Sequence, residues 1–321
     1  MTHSKARVFV FKIAVTVAVL GLLMYSVDAS AMVAQVKRIS WGVLAVAAFW
    51  YVAATLVSTF RWSVLLRAQH IVLPFFKLIR YNLSYTFYSI VLPGGKVTAE
   101  AVRVYQVLKD THDESVRSKI VFPTLLDRAV VVFVAATIST IFFVTIGFST
   151  FKELPAWFPY AGVALVLVLT MSAFLPIERF IGRVLGSTSD AKQSSLASLK
   201  EALRVYRTKP MRLIAAVLLT GVMLATLAFA LMSVASAFEV SVSFWLMLGV
   251  VSTSMMAAFL PLTIGGVGIR EGTFAYLFAT VAHVPTETAL AISLVGLVAS
   301  HVVTLMGGGV EFRRHFIRHT S

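Results

Sequence analysis

Three charged elements interrupt a chain that is otherwise strongly apolar: Glu100 with Arg103, Asp127 with Arg128, and Arg270 with Glu271. Residues at i and i+3 of a helix share a face and can pair or hold one ligand, whereas adjacent residues point apart and reach different neighbours. Arginine suits planar, bidentate recognition of phosphate, and a nearby carboxylate can aim it or meet a cationic substituent. Lys96 stands near the start of the helical pattern that carries Glu100, where free amides and the helix dipole already favour an anion. These types at these spacings suit the binding of a phosphate-bearing headgroup. The candidate headgroup site is therefore Lys96, Glu100, Arg103, Asp127, Arg128, Arg270 and Glu271. A structural reading stands beside each: a glycine turn with a self-satisfied Glu–Arg pair, an interhelical ion pair at Asp127-Arg128, and an interfacial pair at Arg270-Glu271.

Other chemistries lack their residues. There is no cysteine, which excludes disulfides, thiolate metal sites and cysteine nucleophiles. No P-loop, HExxH or DDxxD pattern occurs, so no metal and no cofactor is expected. No activated nucleophile is visible, and the expectation is a protein that is not an enzyme. An intramembrane transferase using Glu100, Asp127 or Glu271 is the lesser alternative.

The elements that must position these groups are membrane helices. Of 321 residues, 59% are hydrophobic and 13% charged, a balance that only a bilayer can accommodate, with ~20 apolar residues per helical crossing. Full crossings read as Val8–Val27, Trp41–Phe60, Lys119–Gly147, Trp157–Ile177, Met211–Phe238 and Glu287–Glu311. The start, with His3, Lys5, Arg7 and the triplet Ala29, Ser30, Ala31, resembles a signal peptide, but an uncleaved first helix fits its long apolar run better. Two further apolar intervals are broken, Pro74–Lys109 at Pro93, Gly94 and Gly95, and Ser241–His283 at Pro261, Gly265, Gly266 and Gly268. Each reads as a re-entrant hairpin, since non-helical backbone at membrane depth survives only against protein or a water-filled cavity.

The net charge of +14 finds its explanation in orientation rather than in nucleic acid. With six crossings and two hairpins that do not cross, the outside receives only Lys37, Arg38 and Lys152, whereas the cytoplasmic segments collect the basic residues of 5–12, 61–119, 179–212 and 313–318. Both termini are then cytoplasmic. Arg61 and Arg67 read as anchors that snorkel to the interface after the second crossing. His283 and His301 read as satisfied polar residues. The segment 182–210 is polar and reads as a cytoplasmic amphipathic linker, with Leu196, Leu199, Leu203 and Tyr206 at helical spacing.

The order helix, helix, hairpin, helix occurs twice, in opposite orientation and roughly 170 positions apart. The predicted fold is thus an all-α polytopic membrane protein, six transmembrane helices plus two re-entrant hairpins in a 3+3 inverted repeat. It forms a single membrane domain, 1–321, with halves 1–150 and 151–321. Broken helices at matching places in two halves mark the binding site of many secondary transporters.

RWSVLL at Arg61–Leu66, LPGG with EAVRVY at Leu92–Tyr105, Asp127-Arg128 and LPLTIGGVGIREG at Leu260–Gly272 resemble the lysylphosphatidylglycerol synthase transmembrane, or flippase-like, family. The resemblance covers nearly the whole chain, and its second Leu-Pro/Gly-Gly/Arg-Glu element is the most specific part. Where many relatives carry Gly-Gly-Asp before the arginine, this chain has Thr98-Ala99-Glu100 before Arg103. The resemblance implies a membrane domain that moves lipids or lipid-linked headgroups between leaflets, here a stand-alone domain without aminoacyltransferase activity. Its partners would be membrane lipids with an anionic phosphate headgroup. A non-transporting partner of a lipid-modifying or glycosyl-transfer enzyme, docking through the basic 178–212 segment, is the alternative.

Overall fold

The structure is a computed structural model. It describes residues 39–92, 95–111, 117–147, 150–151, 204–206, 208–259, 263 and 266–319, with scattered positions among the first 37. The described residues form eight principal helices: α1 (Trp41–Ala68), α2 (Phe75–Val91), α3 (Lys96–Thr111), α4 (Arg117–Ile146), α5 (Pro210–Ala237), α6 (Phe244–Ala257), α7 (Ile269–Ala282) and α8 (Thr286–His319). Trp41–Ala68, Lys119–Ile146, Pro210–Ala237 and Thr286–Arg313 are each long and apolar enough to cross a membrane. They coincide with four of the expected crossings, and the protein is a multi-pass helical membrane protein. The expected crossing Trp157–Ile177, nearly all of Val8–Val27 and most of the linker 182–210 lie outside the described residues.

Helix ends follow local chemistry. Ser40 caps α1 by accepting from the Val43 amide, and Ser243 caps α6 by accepting from the Leu246 amide. Pro210 opens α5, where its missing N–H is no loss. The chain leaves α1, α5 and α7 through left-handed residues, His70 (φ 62), Glu239 (φ 58) and His283 (φ 53). In each case the next amide, of Ile71, Val240 or Val284, returns to a carbonyl five residues earlier, which satisfies a carbonyl the helix end would orphan. Trp41 and Pro210, Phe75 and Phe244, Arg117 and Thr286, and His70 and Glu239 are all separated by the same interval.

Helices α2, α3, α6 and α7 are short, about 21 to 26 Å at 1.5 Å per residue, less than the ~30 Å hydrocarbon core. They pack as pairs, α2 on α3 and α6 on α7. The breaks within the pairs need glycine: Gly95 (φ 59), Gly266 (φ 83) and Gly268 (φ 90) are left-handed. A Cβ on Gly266 would also lie 2.8 Å from the Ala258 carbonyl oxygen. Pro93, Gly94, Pro261 and Gly265 lie outside the described residues.

The most extensive contact is between α1 and α5. Around it, α2 packs on α8 and α6 on α4, α3 on α4 and α7 on α8, α1 on α2 and α5 on α6. Exchanging α1–α4 with α5–α8 reproduces this pattern. The main core gathers Phe142, Leu224, Met247, Phe274, Phe278 and Leu290, all buried. Phe49, Leu218, Val298 and Leu305 stay exposed on the long helices, as lipid solvent allows.

Two of the outer contacts depend on glycine in a helix interior, where small residues let backbones approach. A Cβ on Gly249 of α6 would come 2.1 Å from the Phe142 ring of α4, and one on Gly307 of α8 would come 2.1 Å from the Leu83 carbonyl oxygen of α2. The second obstacle is backbone and cannot rotate away. Gly307→Ala should lower stability by about 1–3 kcal/mol through overpacking, whereas Gly309→Ala, with nothing within 4 Å, should be neutral. Thermal unfolding of both variants in detergent checks this, and equal melting temperatures would show that α2 and α8 are not held at this distance.

Candidate functional site

The first two charged elements belong to one buried network. On α4, Asp127 (1% exposed) accepts from Arg61 Nε at 2.7 Å with Oδ1 and faces Arg103 Nη2 at 3.7 Å with Oδ2. Arg128 turns the other way and donates to Glu100 Oε2, Nη2 at 2.6 Å and Nε at 3.2 Å. The remaining oxygen of Glu100, Oε1, accepts from Arg103 Nη2. Adjacent positions on α4 thus serve different partners, as helix geometry requires. Two carboxylates hold three arginines drawn from α1, α3 and α4.

Aromatic and amide groups complete the cradle. The Arg103 guanidinium lies 4.1 Å from the Trp62 ring centroid and 5.2 Å from that of Tyr85, and Arg128 lies 4.5 Å from Tyr85, so ring faces supply attraction that water cannot. Trp62 is fixed by donating from Nε1 to Thr124 Oγ1 at 3.2 Å. Asn82 accepts from Arg103 Nη1 at 3.3 Å and donates to Thr59 Oγ1 at 2.9 Å. Arg61 also donates from Nη1 to Thr220 Oγ1 on α5 at 3.1 Å, which ties the network to the second half of the chain.

The third element is self-contained. Arg270 donates to Glu271 Oε1, Nη2 at 2.7 Å and Nε at 2.9 Å, and Glu271 Oε2 accepts from the Gly268 amide at 2.6 Å. Glu271 is fully buried and caps the first turn of its own helix while it holds the arginine beside it. Lys96, at the start of α3, lies 5.3 Å from the centroid of Phe259, which precedes the second break. The two broken pairs therefore meet here.

Between them is a cavity of about 310 Å³, and Arg61, Lys96, Arg128 and Arg270 line it. Glu100, Asp127 and Glu271 do not line it; they stand behind the arginines. Among the described residues, counting Arg103, five cations face three carboxylates, an excess of two positive charges. His301 also lines the cavity, with Nδ1 2.7 Å from the Leu297 carbonyl oxygen. Among the described residues no group of three or more histidine or acidic side chains is placed to hold a metal ion.

The geometry corrects and extends the reading of the sequence. Arg61 is not a snorkelling anchor: α1 continues to Ala68, Arg61 is 2% exposed, and its charge is met by Asp127. Arg67, six residues from it in the last turn, is exposed. Arg103 belongs to the network but not to the cavity wall. Asn82, Trp62 and Tyr85 were missed, and the polar Asn82 inside an apolar run was their one visible signal. Sequence reasoning also missed Glu311 of α8, which accepts from Ser84, from Tyr88 Oη at 3.0 Å and from Gln106 Nε2 at 3.1 Å. From the linker, Tyr206 Oη donates to the Leu65 carbonyl at 2.7 Å and Lys209 Nζ to the Ala68 carbonyl at 3.0 Å, so the chain entering α5 is docked on the end of α1.

Removing one member of a buried pair strands the other's charge, at about 3–5 kcal/mol. Asp127→Leu should therefore destabilise the folded protein by about that amount, read as a lower yield and a lower melting temperature, because it exposes Arg61 and Arg103 to each other. Arg61→Leu combined with Asp127→Leu should recover part of the loss. A double variant no more stable than Asp127→Leu would remove the pair from the account.

Among curated proteins none matches the chain. The family described as the lysylphosphatidylglycerol synthase TM region matches residues 9–308, which include every helix from α1 to α7 and most of α8. The chain belongs to that family.

Proposed function

We propose that the protein is a lipid flippase- or scramblase-like transporter, not an enzyme, that moves a phospholipid or lipid-linked headgroup between leaflets of the bacterial cytoplasmic membrane. The observation that carries this reading is the cavity between the two broken helix pairs, lined by Lys96 and by three arginines whose carboxylate partners stand behind them. A charge at the centre of a membrane helix costs roughly 2.5–3.5 kcal/mol on insertion scales, and five cations gathered there are a functional arrangement rather than packing. A phosphate within 4 Å of one guanidinium gains about 4 kcal/mol at an effective dielectric near 20. That is the order of compensation a headgroup needs to leave water while its acyl chains stay in lipid.

The same reading gives the fold its purpose. Short helices in pairs, a constant interval between corresponding helix starts, and a packing pattern unchanged by exchange of halves support an inverted 3+3 repeat with two re-entrant hairpins. The hairpins enter from opposite sides, with both termini cytoplasmic, and present their breaks to one midplane site. Arg128 and Arg270, 28% and 34% exposed, hold the phosphate, and Glu100 and Glu271 aim them. Arg61 and Lys96 complete the positive wall.

Reconstituted vesicles carrying labelled phospholipids across several headgroup classes test this. Transbilayer movement should exceed that of protein-free vesicles, and Arg270→Ala and Arg128→Ala should each reduce it about tenfold or more per amount of folded protein, a change of ~1.4 kcal/mol. Movement at the protein-free rate for every lipid class would sink the transporter reading; undiminished movement in both variants would sink the site assignment.

A further inference from the structure

We infer that the cavity takes an anionic phosphodiester lipid whose headgroup is an uncharged polyol, and that it discriminates against the same headgroup bearing an ammonium. This rests on the transporter reading and names its substrate class. The first argument is an accounting of carboxylate oxygens. Both oxygens of Asp127 face arginines, both oxygens of Glu100 accept from arginines, and Glu271 divides its two between Arg270 and the Gly268 amide. No carboxylate among the described residues lines the cavity. An ammonium entering it would meet Arg61, Lys96, Arg128 and Arg270 with no counter-charge of its own.

The second argument concerns the neutral part of the wall. Thr55, Thr86, Ser89, Ser254 and Ser300 line the cavity, and each donates its hydroxyl proton to a carbonyl of its own helix, at 2.7 to 3.0 Å. A hydroxyl that has spent its proton presents only lone pairs to a ligand. These five hydroxyls therefore add neutral acceptors, which suit the O–H groups of a glycerol, inositol or sugar, to the charged donors, which suit phosphate oxygens. A phosphodiester joined to a polyol uses both. An aminoacylated polyol uses the same phosphate contacts but places a positive charge against a wall that already carries two in excess.

Phosphatidylglycerol and lysyl-phosphatidylglycerol differ only in the aminoacyl group, which makes them the discriminating pair. The experiment is displacement of fluorescent phosphatidylglycerol from the purified full chain in detergent by each unlabelled lipid, with glycerol 1-phosphate as a soluble control. Unlabelled phosphatidylglycerol should compete about tenfold or more strongly than lysyl-phosphatidylglycerol. Lys96→Glu, which lowers the wall's charge by two, should shrink that ratio. Competition by glycerol 1-phosphate as strong as by the lipid would overturn the lipid source. Equal or stronger competition by the lysylated lipid, or a ratio unmoved by Lys96→Glu, would overturn the assignment while leaving transport intact. Preferential binding of phosphatidylglycerol without movement in vesicles would instead defeat the transporter reading alone, and no binding of either lipid would defeat both.

Discussion

The need to neutralise charge away from water governs this structure. Arg61, Arg103 and Arg128 lie in or beside membrane-crossing helices, and two carboxylates, Asp127 and Glu100, must serve all three. That shared service fixes where α3 docks on α4 and why α1 can continue past Phe60 with a basic residue in its interior. It also forces the arginines to be held from one side, since their partners occupy the space behind. The other side, where Arg61 and Arg128 line the cavity, is what remains for a ligand.

The two broken pairs share backbone geometry but not wiring. In the first, α3 is tied by charge to α1 and α4, and its Arg103 donates to Asn82 of α2, so displacing α3 would separate ion pairs between helices. The second keeps its ion pair within α7, where Glu271 is fastened to Arg270 and to the Gly268 amide. Both members of that pair lie on one helix. The halves are therefore alike in fold and unlike in what holds them.

Much of this was legible in the sequence because it rests on local signals. Proline and glycine breaking an apolar run, with an acid and an arginine following, point to both helix breaks, and Gly95, Gly266 and Gly268 are left-handed there. Four crossings are legible from apolar length alone. Partnership between distant residues is not legible in this way. Arg61 directly follows an apolar run and reads as its end, until Asp127, in another helix, is seen to meet it. Glu311 likewise reads as the end of a crossing, yet it accepts from side chains of α2 and α3. The division of the arginines into wall and support, with Arg103 behind and Arg61 in front, depends on helix rotation and has no trace in residue type or spacing.

The central claim is that the cavity between the two breaks holds a lipid phosphate. An experimental structure of the full chain in nanodiscs containing phosphatidylglycerol tests it most directly. The account predicts headgroup density within hydrogen-bonding distance of Arg128 and Arg270, with the acyl chains leaving the cavity between helices into the surrounding lipid. A cavity filled only by ordered water or by the protein's own side chains, with every lipid confined to the outer surface of the helices, would contradict it.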